Sequence, residues 1–338
     1  MQTRIILVGA GPLGLKVANF ILERPNLELA GVVDLNPDLK GKSAADLIEG
    51  APADCQISST VSEALERSGG AVDAAVVTTV SSIHKIQPTL QTLAECRLPV
   101  VTTCEELVYP WIRNPEVAES IDAVFKANGV ACLGTGVNPG YLMDYLPVVL
   151  TSIHQRVDHV LVERFQDASI RRIPFQKKIG AGLSMEEFEA AKTAGTLRHV
   201  GLLESLDMIA AAMGCEVDSS EETLTPVLAA GEIENGYVPI GKNQPAGVEQ
   251  IATAMKNGRE IIRIHFRAAV GEPASFDRIE VKGLPGAIME IRGGVNGDIA
   301  TSAITVNAIS SILRATPGLR TMLDVPVPGY IGSVAGRV

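Results

Sequence analysis

The chain has 338 residues, 46% of them hydrophobic, and carries 39 acidic against 29 basic side chains for a formal net charge of −10. That length favours two domains, and with no Lys/Arg-rich stripe to neutralise phosphates, neither nucleic acid nor an anionic membrane surface is expected as a partner. Five cysteines without CxxC spacing argue against a zinc cluster or a disulfide framework, so no metal site is expected and a reducing cytoplasm fits.

The chain opens "MQTRIILVGAG", whose apolar run reaches glycine too early for a signal sequence or a membrane span. From Arg4 to about Val137, strand-like and helix-like stretches then alternate: "RIILVGAG", "LKVANFILER", "LELAGVVDL", "DAAVVTTV", "IQPTLQTLAEC", "PVVTTC", "VAESIDAVFKANG" and "VACLGTG". Near-continuous Val/Ile/Leu strands separated by amphipathic helices predict a Rossmann-type doubly wound parallel sheet covered on both faces. Its first turn carries Gly9-x-Gly11-x-x-Gly14, directly after a strand and opening a helix. In that context Gly9 serves the tight turn, Gly11 the approach of backbone amides to a pyrophosphate, and Gly14 close helix–strand packing. Pro12 and Leu13 start the helix whose amino end would face the phosphates. Asp34, at the end of the second strand, stands where a carboxylate binds the ribose hydroxyls, which predicts NAD. Lys40 and Lys42 follow closely enough to leave NADP open. Thr78 and Thr79 end the strand in "VVTTVSS", either beside the nicotinamide ribose or as a plain solvated strand end; Thr103, which ends the next strand, is also expected to contact the cofactor.

That next strand runs "VVTTCEEL", residues 100–107, ending in adjacent carboxylates at the edge where such sheets hold ligands. A carboxylate there supplies no positive charge to a carbonyl oxygen, but it deprotonates an ammonium group, which suits amine–imine interconversion. Strand alternation aims Glu105 and Glu106 in opposite directions, so one faces the cofactor while the other starts the following helix. From the local sequence alone, both are equally readable as capping or surface residues.

After Pro139-Gly140 the pattern changes. "HVLVERFQDAS", "REIIRIHFRAAV" and "FDRIEVKGLPGAIMEIRGGVNGD" alternate as antiparallel strands with one solvated face, interrupted by helical "MEEFEAAKTAG" and "VGLLESLDMIAAAMG". The expected plan is a dinucleotide-binding domain over 1–140 and an α+β substrate and dimerisation domain with a largely antiparallel sheet over 141–298. A long apolar helix in "DIATSAITVNAISSILRATPG" and the tail, about 299–338, are expected to pack back on the first domain. The apolar strands of the second domain point to a homodimer.

"VVTTCEELVYPW", "GTGVNPGYLMD", "ERFQDASIRRIPFQKKIGAGLS", "RHVGLLESLDMIA" and "NGDIATSAITVNAISSILRATPGLRTMLDVP" together resemble the 2,4-diaminopentanoate dehydrogenases and related native amine dehydrogenases, distant relatives of dihydrodipicolinate reductase. The resemblance runs from the glycine turn to Pro326. It implies NAD(P)-dependent oxidative deamination of an amine to a ketone and ammonia, reversible as reductive amination. It places the catalytic glutamate on Glu105, and substrate contacts on Asn138, Pro139, Leu142, Arg164, Gln166, His199 and His265. Arg164 is expected to bind a substrate carboxylate bidentately, against the alternative of a charge on a solvated strand face. His199 and His265 are as readable as structural histidines. Phe165 and Gln166 stand where smaller or shorter residues are expected, which leaves the natural amine open. "RRIPFQKKIGAGLS" keeps Lys177, Lys178 and the Gly180–Gly182 turn but lacks the paired histidines of the reductases, which counts against the alternative of cyclic-imine reduction. A third reading, an inactive dinucleotide sensor, is opposed by Glu105, Arg164 and the glycines standing together.

Overall fold

A computed structural model describes residues 2–171, 173–197, 199–234 and 236–332. The chain lays down β1 (Thr3–Val8), β2 (Leu27–Val33), β3 (Ile57–Ser58), β4 (Ala74–Val77), β5 (Val100–Thr102) and β6 (Ala131–Gly134). A second set follows: β7 (Arg156–Asp167), β8 (Ser219–Leu228), β9 (Pro245–Lys256), β10 (Arg259–Ala269), β11 (Phe276–Leu284) and β12 (Ala287–Arg292), before the chain ends on β13 (Gly318–Arg320). The helices, in chain order, are α1 (Pro12–Leu22), α2 (Val61–Arg67), α3 (Ile83–Glu95), α4 (Pro115–Ala127), α5 (Tyr145–Thr151), α6 (Ile173–Lys178), α7 (Met185–Thr193), α8 (Leu202–Ala212), α9 (Gly297–Asn307) and α10 (Ile309–Ile312).

Two compact units result: Met1–Tyr141 with Asn296–Val338, and Leu142–Val295. The first holds a seven-stranded sheet in the order β13-β6-β5-β4-β1-β2-β3, all of it parallel. β4 is Ala-Ala-Val-Val with every residue buried, the composition of a strand covered on both faces. Ile83, Ile86, Leu90 and Leu93 of α3 recur at helical spacing and pack with Val77, Val100, Leu107, Ile121 and Phe125 into one core cluster. Instead of the single long helix expected over 298–318, α9 stops at Asn307, α10 adds one short turn, and Gly318 at φ +123° turns the chain into β13. Residues 333–338 of the expected tail lie outside the described residues.

The second unit holds a six-stranded sheet, β12-β11-β7-β10-β9-β8. Four of its pairings are antiparallel, but β7 and β10 at its centre run parallel, so the sheet is mixed and only largely antiparallel. Alternating burial is as expected for strands with one covered face, and that pattern is the same for either strand direction. Among the described residues, no helix is long and apolar enough to cross a membrane.

Candidate active site

Three strand ends in the first unit build one cleft. Beyond β1, Gly9 sits at φ +105°, and Gly14 lies so close beneath it that a Cβ there would come within 1.9 Å of the Gly9 carbonyl oxygen. Thr78, after β4, donates its hydroxyl to that same carbonyl at 2.9 Å and its amide to Val8. Gly11 is different, with nothing within 4 Å of where a Cβ would stand, so packing does not require it and the space is open to a ligand. It caps α1 without a side chain, and Pro12 follows at the first helical position, leaving the first-turn amides to whatever occupies the cleft. Asp34, half-buried at the end of β2, accepts from the Ala10 amide (2.6 Å) through Oδ2 and from the Asn36 amide (2.8 Å) through Oδ1. It thereby ties the second strand to the glycine turn, and each oxygen keeps a lone pair free.

The cleft measures about 740 Å³ and is lined by Gly9, Gly11, Asp34, Thr78 and Thr79 together with Leu35, Ser59, Thr60, Ser62 and Lys85. Its volume falls in the range of cofactor sites. Neither Lys40 nor Lys42 lines it; the cation there is Lys85, in the first turn of α3, which the sequence reading missed. An open Gly11, uncapped helix amides and a carboxylate at the second strand fit a dinucleotide. Thr103 donates its amide to Val77 but is not among the lining residues.

Beside this cleft, β5 pairs with β4 through Val77 and Thr102, one strand spacing or about 4.8 Å apart, and Glu105 and Glu106 follow three and four residues beyond Thr102. Cys104 leads into a short 3-10 turn over Glu105–Leu107, for which Gly134 makes room: a Cβ there would meet the Leu107 carbonyl carbon at 2.8 Å. The two glutamates have different surroundings. Glu106 accepts from the amide of Ile83 (3.0 Å), the first residue of α3, and donates its own amide to the Ser81 carbonyl (3.2 Å). It therefore serves a helix start that precedes it by 23 residues, not the following one, and does so where Ser82 makes no side-chain cap. The Glu105 carboxylate makes no hydrogen bond or ion pair with a described residue, although it is half-buried. Cys104 lies buried under both, its thiol donating to the Ser81 carbonyl; burial, then Glu105 and Glu106, push its pKa upward and keep it neutral.

Asn138 and Pro139, joined by a cis peptide, follow β6 in the first unit, where Val137 donates its amide to Thr301 of α9. Leu142, Arg164, Gln166, His199 and His265 belong to the second unit. Leu142 is buried. Arg164 and Gln166 point to one face of β7, and both donate to the Val295 carbonyl, at 2.9 and 3.0 Å. The Arg164 guanidinium is 1% exposed and pairs with the Asp277 carboxylate of the facing strand, which also accepts the Val295 amide. A guanidinium buried and paired in this way is not a charge on a solvated strand face, and that alternative for Arg164 is corrected.

Gln166 Oε1 instead accepts from Arg171 (3.1 Å). His199 is held by a contact that sequence reasoning did not find. The buried Gln250 amide accepts the His199 N–H (2.8 Å) and donates to its carbonyl (2.9 Å), which fixes that turn. The imidazole lies 4.5 Å from the Phe266 ring, with Nδ1 buried and unpaired among the described residues. Burial, then the charges of Lys178, Arg164 and Arg171, push its pKa down to about 3, so it is neutral. In the β7–β10 register Phe266 stands opposite Arg164 and His265 opposite Glu163. His265 therefore lies on the other face, edge-on to Phe165 at 4.8 Å and 3.0 Å from Glu249, which also takes Arg267. One sheet face holds Arg164, Gln166 and the Phe266–His199 contact; His265 does not join them.

Residues 141–336 match the 2,4-diaminopentanoate dehydrogenase C-terminal domain family. Over 98% of its length the chain is 30% identical to 2,4-diaminopentanoate dehydrogenase of Acetoanaerobium sticklandii, of which it covers 95%. It is 23% identical to an amine dehydrogenase of Streptomyces virginiae, with 98% of each covered. Its fold superposes on the amine dehydrogenase of Mycobacterium smegmatis with a TM-score of 0.85 at 21% identity, covering 98% of both chains. The chain thus belongs to the 2,4-diaminopentanoate dehydrogenase family and is an NAD(P)-dependent oxidoreductase acting on the CH–NH2 group of amines.

Proposed function

We propose that this enzyme oxidatively deaminates an amine bearing a carboxylate, of the 2,4-diaminopentanoate kind, with Glu105 as general base. The observation that carries the reading is the contrast at the end of β5, where Glu106 is committed to the start of α3 while the adjacent Glu105 carboxylate has no described partner. A half-buried carboxylate free to exchange a proton beside a dinucleotide-sized cleft is what amine oxidation needs.

The bound nicotinamide supplies the acceptor for the hydride that the amine-bearing carbon gives up. Glu105 takes a proton from the substrate ammonium and so frees the nitrogen lone pair that assists hydride loss. After passing that proton to solvent, it serves the water that adds to the iminium carbon, holding the proton that water releases and returning it to the nitrogen, which departs as ammonia. Overall, substrate ammonium, oxidised cofactor and water become ketone, ammonium ion, reduced cofactor and one proton; run backwards, this is reductive amination. Gly9, Gly11, Pro12, Leu13 and Gly14 are assigned to the pyrophosphate, and Thr78, Thr79 and Thr103 to the nicotinamide side. Asp34 is assigned to the ribose hydroxyls, which makes NAD the preferred cofactor; Asp34→Ser is expected to move the preference toward NADP.

Asn138, Pro139, Leu142, Gln166 and His199 are proposed to line the substrate. Lys178, whose charge acts on His199, is the cation proposed to meet a substrate carboxylate. His265 is assigned no substrate contact. The active species is proposed to be a cytoplasmic homodimer, for which free cysteines and the exposed Leu284 and Ile288 of the outer hairpin speak. NADH formation at alkaline pH, with 2,4-diaminopentanoate set against 2-aminopentane, tests the substrate. Preference for the diamino acid supports the reading, and preference for 2-aminopentane contradicts the carboxylate requirement.

A further inference from the structure

A second cavity in the first unit measures about 420 Å³ and opens at the amino ends of β1 and β2, beside Thr3 and Leu27. The cofactor cleft lies at the opposite ends of those strands, at Val8 and Val33. Six residues of β1 put about 17 Å between the two. This cavity is lined by two arginines and by no Asp or Glu, in a chain of net charge −10.

Arg24 is the more telling of the two. It is 8% exposed, its guanidinium rests 3.9 Å from the centre of the Tyr330 ring, and its acceptors are neutral: Asn307 Oδ1 at 3.4 Å and the Ile331 carbonyl at 3.3 Å. Both bonds are long, and no described carboxylate pairs with it. Buried charges are ordinarily paired, so this one is left to a counter-ion from outside the described residues. Arg314 has its Nε on the Ser310 carbonyl (2.9 Å) and likewise no described carboxylate partner. Asn26 Oδ1 is buried without a donor among the described residues, which asks the opposite of a ligand. Between these polar points, Leu27, Val306 and Ile309 form an apolar wall.

We propose that this cavity is a second ligand site, taking a small aliphatic acid that also carries a hydrogen-bond donor, such as an amino or hydroxy acid. Its carboxylate meets Arg24 and Arg314, its ammonium or hydroxyl meets Asn26 Oδ1, and its chain lies on the apolar wall. The site is independent of the reaction proposed above, so its failure leaves that reading intact.

Titration calorimetry on the full chain saturated with NADH, using L-norvaline, 2-hydroxypentanoate and pentanoate, tests it. The first two are expected to bind, with pentanoate, lacking the donor, weaker by about tenfold. Norvaline binding tighter than the hydroxy acid identifies the donor as ammonium, and the reverse order identifies it as hydroxyl. Arg314→Gln, an exposed change, is expected to weaken both by roughly tenfold or more while kcat and KM for the amine stay unchanged. Asn26→Leu should abolish the advantage over pentanoate. No heat from either donor-bearing acid up to about 20 mM, or binding that Arg314→Gln leaves untouched, overturns the proposal.

Discussion

Replacing Asp277 by leucine tests the role the structure gives to Arg164. Asp277 is 6% exposed, holds the Arg164 guanidinium and accepts the Val295 amide at 2.8 Å. Its loss leaves a buried charge uncompensated, which costs about 3–5 kcal/mol. At roughly 2–4 °C per kcal/mol for a unit of this size, the melting temperature should fall by about 6–20 °C, read by circular dichroism. Adding Arg164→Met removes the stranded charge and should restore half or more of the loss. In that double variant KM for a carboxylate-bearing amine should stay within about threefold of the parent. A melting temperature within about 2 °C of the parent for Asp277→Leu refutes the buried pair. A KM raised about tenfold or more in the double variant, for carboxylate-bearing amines alone, returns Arg164 to the role of substrate anchor.

Gly11 and Gly14 should separate binding from folding. Gly11→Ala keeps the melting temperature and weakens NADH binding measured by fluorescence titration, because open space surrounds its Cα; Gly14→Ala, whose Cβ would strike the Gly9 carbonyl, lowers the melting temperature. For His199 the folded pKa of about 3 lies below its ordinary value of 6.5, so the unfolded chain binds the extra proton. Its contribution is intact above pH 6.5 and is lost as pH falls toward 3, at no more than about 1.4 kcal/mol per pH unit. His199→Gln should flatten urea stability between pH 6.5 and 5 relative to the parent, and equal slopes would contradict a buried neutral imidazole.

How far the sequence was legible depends on which physical signal carried each feature. Parallel strands such as Ala-Ala-Val-Val in β4 and the glycine turn are written in local composition, and the fold class followed from them. The two-residue β3 and three-residue β13 are too short to show a period. Alternation along β7 and β10 marks a covered face, yet it carries neither strand direction nor register, and register is what parts His265 from Arg164. The same limit hid the Arg164–Asp277 pair, whose members lie 113 residues apart, and the Gln250 clamp on His199, at 51. Adjacent glutamates announced a site, but only the fold shows that Glu106 reaches back to Ile83. Lys85 carries a readable signal, a cation in the first turn of the helix after "VVTTVSS", whereas Lys40 and Lys42, nearer to Asp34 in the sequence, do not line the cleft.

The division of labour between the two glutamates is tested most directly by comparing Glu105→Gln with Glu106→Gln in amine-dependent NADH formation, with NADH affinity and melting temperature measured on the same samples. Glu105→Gln should retain fold and NADH affinity while kcat falls by about 10²-fold or more, the loss expected of a general base. Glu106→Gln keeps an acceptor for the Ile83 amide and should retain most of its turnover. Near-parental turnover in Glu105→Gln, with the large loss in Glu106→Gln, would contradict the account and move the proton transfer to Glu106.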